Sequence, residues 1–316
     1  MKAAPFLWTA LGLAGATLAR FAVADAAPGG MFGATLGATL ALAAIAVLAL
    51  FLAMVGFARG EGWFARLATP ALFGFLLLWL WEMLVIGFAV PFVLLPPPSA
   101  IARAFGAHLA LLTQDFAQTY LHAVIAGYAL GCGAGFLVAL AIDRSPFLKR
   151  GFLPMGNMIS AMPIVGIAPI MVMWFGFEWP SKAAVVVVMT FFPMLVNTTA
   201  GLAEAGAIER DLMQSYAARY GATLLKLRLP AALPHIFTAL KLNSTLALIG
   251  AVVAEFFGTP ILGMGFRIST EAAKMNLDLV WATITVAALA GSLSFGALAL
   301  LERAVTFWHP SFRGSS

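Results

Sequence analysis

Apolar residues in this chain come in long unbroken runs, not in alternation with polar ones. Eight runs stand out, at about 4–21, 31–57, 67–90, 120–142, 152–175, 183–202, 236–257 and 279–302. Each is long enough to cross a ~30 Å hydrocarbon core as a helix. Barrel strands would alternate apolar and polar positions, and these runs do not. The pattern predicts an all-α polytopic membrane protein. The first run also reads as a signal peptide, because Lys2 precedes an apolar core and Ala24-Asp25-Ala26 supplies a small-x-small site. Its removal would leave the rest of the topology unchanged.

Composition agrees with the pattern. Hydrophobic residues make up 62% of the 316 positions and charged residues only 10%. A soluble domain carries about 25% charged residues, so too little polar surface is left to cover a water-soluble particle. The net charge of +5 is spread over short loops without the aromatic interleaving of a nucleic-acid surface. These charges fix an orientation instead. With the loop after the sixth run cytoplasmic, 13 of the 18 Lys and Arg fall on that side. Arg20, Arg103, Lys182, Arg267 and Lys274 fall on the other. Both termini are then expected in the cytoplasm. The single cysteine, Cys132, excludes an internal disulfide and a Cys-based zinc site.

One loop departs from the apolar background. Residues 211–237 read DLMQSYAARYGATLLKLRLPAALPHIF. From Asp211 to Leu229 they are too polar to span, yet Leu212, Tyr216, Tyr220, Leu224, Leu225 and Leu227 recur at helical spacing. This predicts a helix lying against a partner with one wet side. Pro230 is expected to end it and Pro234 to re-aim the chain into the next span.

The segment resembles the cytoplasmic signature of bacterial ABC importer permeases: Glu-Ala-Ala, three residues, Gly, nine residues, Ile-x-Leu-Pro. Anchored on Leu229-Pro230, the Ile position is Leu227, the Gly position Ala217 and the Glu-Ala-Ala positions Asp211-Leu212-Met213. Alanine tolerates positive φ poorly. The turn is therefore expected either to move toward Gly221 or to vanish into a continuous helix. Further stretches resemble the nitrate, sulfonate and taurine branch. They are Leu95-Pro96-Pro97-Pro98-Ser99, Met162-Pro163, Trp174-Phe175-Gly176, Phe191-Phe192-Pro193, Asn197-Thr198-Thr199, Ala254-Glu255-Phe256-Phe257-Gly258 and Gly263-Met264-Gly265.

The resemblance covers about residues 70–309. It implies a type I importer core of six transmembrane helices over 66–316, with a coupling helix at about 204–234. Residues 1–65 are then one or two extra N-terminal helices. It implies a permease in the bacterial inner membrane that passes a small solute by alternating access. Its partners would be two copies of an ATP-binding subunit, a second permease, most simply identical, and a periplasmic binding protein. The implied substrates are of the nitrate, sulfonate or taurine type, or vitamin precursors. ATP and Mg would be held by the partner, because no Gly-Lys pair and hence no Walker A loop occurs in this chain. The implied ATPase-coupling residues are Asp211, Ser215, Ala217, Arg219, Gly221, Leu227, Leu229 and Pro230.

Polar residues inside the spans are the other candidates. Glu82 falls about 24 Å beyond Arg66 at 1.5 Å per residue, near the outer interface, as an interfacial carboxylate or a substrate contact. Asn157, Ser160, Asn197, Thr198, Asn243 and Ser244 read either as interhelical hydrogen-bonding groups or as a polar pathway lining. Glu255 suits a structural or a gating role. Lys241 is expected to snorkel. Gly127, Gly131 and Gly135 form two GxxxG steps and predict close helix packing. Trp63, Trp79, Trp81, Trp174, Trp281 and Trp308 read as interface anchors. An ion-gradient transporter would need charged or broken helices at the midplane, and these spans carry few charges. No HExxH or GxSxG motif supports an intramembrane enzyme.

Overall fold

A computed structural model describes residues 4–24, 36–60, 62–160, 162–258 and 261–308, without the side chains of 21–24, 36–39, 146, 149, 153, 155, 157, 159 and 160. The small-x-small site and the side chains of Asn157 and Ser160 thus lie outside the described residues. Every regular element among the described residues is a helix, and none is a strand. In lipid every backbone N–H and C=O must be satisfied internally, which an apolar run achieves only as a helix.

The chain divides into two units, Met1–Ala107 with Met275–Ala282, and His108–Lys274 with Thr283–Ser316. The first holds α1 (Ala4–Ala24), α2 (Leu36–Ala58), α3 (Trp63–Gly87) and α4 (Pro98–Ala107). Ala16 and Ala19 of α1, Ala46 and Leu50 of α2, and Leu76 and Trp79 of α3 form its core. Small residues let α1 and α2 approach closely. A Cβ added at Gly12 would come within 2.7 Å of Leu50 Cγ.

The second unit begins with α5 (Leu109–Asp143), whose turns over Ala117–Val124 are π-helical. It continues with α6 (Pro146–Ser160), α7 (Ile164–Phe175), α8 (Trp179–Ala203), α9 (Ala207–Ser215), α10 (Tyr220–Glu255) and α11 (Met264–Ala273). The last helix is α12 (Leu277–Val305). α8 is the centre of this unit. Gly127, Gly131 and Gly135 of α5 face it so closely that a Cβ would meet Ala183 O at 2.6 Å, Thr190 Oγ1, or Phe191 O at 2.5 Å. The expected GxxxG packing is therefore the α5–α8 contact. α10 packs on α8 from another side through Ala232, Ile236, Ala239, Ala247 and Ala251.

Six helices among the described residues are long and apolar enough to cross a membrane: α2, α3, α5, α8, α10 and α12. The expected first span is the 21-residue α1. The expected 152–175 span is two helices, not one. The break falls at Pro163 before α7, where proline lacks the N–H and its ring would strike the carbonyl four residues back. α7, with 12 residues, is about 18 Å long and too short to span alone.

The loop after α8 also differs from expectation. No single helix runs from Asp211 to Leu229, and Pro230 ends nothing. α9 stops at Ser215, and α10 then runs unbroken from Tyr220 through Pro230 and Pro234 to Glu255. Residues Leu224–Arg228 are π-helical. This wider i→i+5 turn lies just before Pro230, where an α-turn would drive the proline ring into the carbonyl of Lys226.

Candidate functional site

The sequence that links α9 to α10 folds as a sharp elbow. Ala218 N–H donates to Met213 O at 3.0 Å and Ala217 N–H to Gln214 O at 2.8 Å. These paired bonds are the Schellman ending of a helix, which needs a left-handed residue at the position of Ala217. Ala217 has φ +53°. The turn therefore neither moves to Gly221 nor disappears. Gly221 lies inside α10, and a Cβ added there would meet nothing within 4 Å. Alanine holds the glycine's position in the signature at a cost of about 1 kcal/mol. Arg219 then caps α10 in extended geometry, and its carbonyl accepts from Ala222 and Thr223.

No residue of α9 is buried. Ile208 and Leu212 of α9 and the following Tyr216 are 83%, 55% and 78% exposed. Asp211 is exposed too, and its carbonyl accepts from Ser215 Oγ at 3.0 Å. Leu227, Leu229 and Pro230 are half-buried where α10 meets the bundle. The expected coupling residues thus fall on an exposed helix, its elbow and the root of the next span.

That root is clamped by Tyr220 together with Asp143 and Arg228, two residues to which the sequence reading gave no role. Arg228 makes a two-pronged ion pair with Asp143, Nη1 to Oδ2 and Nη2 to Oδ1, both 2.7 Å. Its Nε donates to Leu202 O at 3.0 Å, and Tyr220 Oη donates to Asp143 Oδ2 at 2.8 Å. One cluster therefore ties the ends of α5 and α8 to the start of α10. The fork geometry is what a guanidinium offers and an ammonium does not. A signal was present: Asp143 is the only acid between residues 116 and 177.

At the far end of α5 and α10 a second polar cluster holds the N-terminus of α11. Gly263 N–H donates to Asp115 Oδ1 at 2.9 Å, Met264 N–H to Thr119 Oγ1 at 2.8 Å, and Gly265 N–H to Glu255 Oε2 at 2.6 Å. Thr119 Oγ1 donates in turn to Glu255 Oε1 at 2.8 Å. Arg267 Nε pairs with Asp115 Oδ2 at 2.8 Å. Anionic side chains suit the exposed N–H groups of a helix start. Glu255 is thus a buried cap. A Cβ at Gly265 would strike Val252 O, so glycine is required for the close approach.

The remaining candidates are scattered. Asn243 is fully buried, and its Nδ2 donates to Thr190 O at 2.8 Å and Cys132 Sγ at 3.2 Å. It bridges α10, α5 and α8. Ser244 Oγ donates to Lys241 O, and Asn197 Nδ2 to Pro193 O, each within its own helix. Thr198 is buried in α8. Lys241 Nζ meets Glu302 Oε2 of α12 at 2.6 Å. Glu82 is not solvated. It is 7% exposed, pairs with Arg20 Nη2 at 3.0 Å, and accepts from Ser99 N–H at 3.0 Å. Trp79 is buried, and its indole N–H donates to Ala16 O at 3.1 Å. It ties α1 to α3 and anchors no interface.

Six span-capable helices among the described residues, with an exposed short helix feeding an elbow into one of them, define a polytopic helical membrane protein. Comparison with known proteins narrows the class. Residues 127–307 match the binding-protein-dependent transport system inner membrane component family, and the chain belongs to that family. It is 32% identical to a probable ABC transporter permease of Haemophilus influenzae, over 70% of this chain and 89% of that protein. It is 30% identical to a formylaminopyrimidine transport permease of Halalkalibacterium halodurans, over 76% and 95%. A putative aliphatic sulfonates transport permease of Bacillus subtilis is 28% identical over 80% and 90%. The chain is therefore a permease subunit of the ABC importer type and a multi-pass inner membrane protein.

Proposed function

We propose that this permease imports a small polar solute, delivered by a periplasmic binding protein, by alternating access driven by ATP hydrolysis in a separate subunit. The exposed helix α9 carries the reading. Its uncovered apolar side chains, Ile208 and Leu212, and the Schellman elbow at Ala217 suit a helix that docks into a soluble partner and is rooted in a span. α9 is then the coupling helix, and Asp211, Ser215, Ala217, Arg219, Gly221, Leu227, Leu229 and Pro230 form its contact and hinge set. Two ATP-binding subunits, holding ATP and Mg, would bind a pair of permeases, most simply identical. The distribution of Lys and Arg supports α9 and both termini on the cytoplasmic side.

The relatives named for formylaminopyrimidine, aliphatic sulfonates and taurine support a substrate of that size and polarity. The substrate pathway is proposed to involve Asn157, Ser160, Asn197 and Thr198, with Asn243, Ser244 and Glu255 holding the helices of the same unit.

The test is a mild-detergent pull-down of the tagged chain from its native membrane, with mass spectrometry and an ATPase assay. A co-purifying subunit with a Walker A loop and vanadate-sensitive hydrolysis is the expected result. A chain that emerges alone and inactive from several detergents would overturn the reading in favour of an ion-gradient transporter.

A further inference from the structure

We propose that Asp143 is the positioning residue that passes displacement of α9 into the spanning bundle, with Arg228 and Tyr220 as its partners. The inference rests on α9 being the ATPase contact and adds the route by which its motion leaves the loop. The elbow alone does not supply that route. α9 buries nothing, and its link to α10 is the turn at residues 216–219. A push on α9 reaches α10 first at Tyr220 and Arg228, and both bind Asp143.

Three features make this cluster a joint and not a surface ion pair. The first is burial: the side chains of Arg228 and Asp143 are 15% and 7% exposed. Such a pair is strongly disrupted by removal of one partner, because the other is left charged and enclosed. The second is breadth. Arg228 Nε also holds Leu202 O, so the one guanidinium joins three helix ends. The third is the backbone. Arg228 closes the π-helical turn of α10, which sets its side chain apart from the regular α-helical face.

The far end of the same two long helices is also cross-tied. Thr119 of α5 bonds Glu255 of α10, and both hold the N-terminus of α11. α5 and α10 therefore act as one body between α9 and α11. Loss of the Asp143 tie leaves α10 free to yield locally at its π-helical root, and the motion is dissipated before it reaches α11.

The test needs no knowledge of the solute. A polarity-sensitive fluorophore is placed on Ser269→Cys, which is exposed on α11, while the native Cys132 is buried. The permease is studied in its complete complex with the ATPase in liposomes, and the signal is read on adding ATP and vanadate. In Asp143→Asn the nucleotide-dependent signal is expected to fall roughly ten-fold, while ATP hydrolysis stays within about two-fold of the parent. Arg228→Lys, which keeps the charge and loses the fork, is expected to fall between the two. Tyr220→Phe removes a single hydroxyl from a ring that is 41% exposed and is expected to lower the signal about three-fold without affecting assembly. Should Asp143→Asn fail to assemble, Tyr220→Phe decides. Parent-like signal and hydrolysis in both variants overturns the joint while leaving α9 as the ATPase contact. A parent complex without an ATPase subunit, or without any nucleotide-dependent signal, overturns both.

Discussion

Gly127 of α5 lies so close to Ala183 of α8 that an added Cβ would stand 2.6 Å from the Ala183 carbonyl oxygen. Six residues on, Gly133 of the same helix has nothing within 4 Å of that position. The pair is a built-in control. Gly127→Ala should force α5 and α8 apart and cost about 1–3 kcal/mol. Gly133→Ala should be neutral or stabilising by up to about 1 kcal/mol, because alanine favours helix more than glycine does. Thermal unfolding of the detergent-solubilised protein separates the two. Equal effects would mean that the α5–α8 contact is looser than described.

Ala217 occupies a left-handed conformation that glycine reaches without strain. Ala217→Gly should therefore leave the elbow intact and change stability by no more than about 1 kcal/mol, with relief of strain opposing the added freedom of the unfolded chain. Ala217→Val should do harm, since a β-branched residue fits positive φ badly. Hydrogen exchange at the amides of Ala217 and Ala218, both bonded back into α9, would report it. Faster exchange in the valine variant alone is expected, and slower exchange there would sink the idea.

Asn243 bridges Thr190 and Cys132. Asn243→Leu should cost about 1 kcal/mol, the usual size of an interhelical polar contact in a membrane, and lower the melting temperature accordingly. An unchanged melting temperature together with altered solute passage would instead favour a lining role.

Arg20→Met should leave the buried carboxylate of Glu82 without its cation. Arg20 is partly exposed, so the loss should be about 2 kcal/mol, below that of a fully enclosed pair. The double variant Arg20→Met with Glu82→Gln should recover part of it. Additive losses would show that the two do not act as a pair. The mature N-terminus is also informative. A chain cleaved after Ala26 would lack α1, leaving Glu82 without Arg20 and Trp79 Nε1 without Ala16 O, so intact mass should show α1 retained.

The helices were legible because a span declares itself by run length. The GxxxG steps were legible because small residues at four-residue spacing share a face. The elbow was half legible: Leu229-Pro230 placed it, yet the residue type at Ala217 argued against a turn that the paired bonds of α9's last carbonyls sustain. Pro230 misled for a local reason, since a π-helical turn admits a proline that an α-turn would exclude. The ion pairs stayed hidden. Asp143 and Arg228 are separated by 85 residues and Arg20 and Glu82 by 62. No periodicity links positions so far apart. Only the packing of helices brings them together.

The tie between Arg20 and Glu82 also has a history in time. A ribosome working at about 5–20 residues per second needs roughly 3–12 s to cover the stretch between them. Throughout that interval the nascent first helix is in or near the bilayer with a guanidinium whose counter-ion has not been synthesised. The insertion machinery must keep that charge at the headgroup level until α3 arrives. The pairing of Arg20 with Glu82 therefore waits for the synthesis of α3.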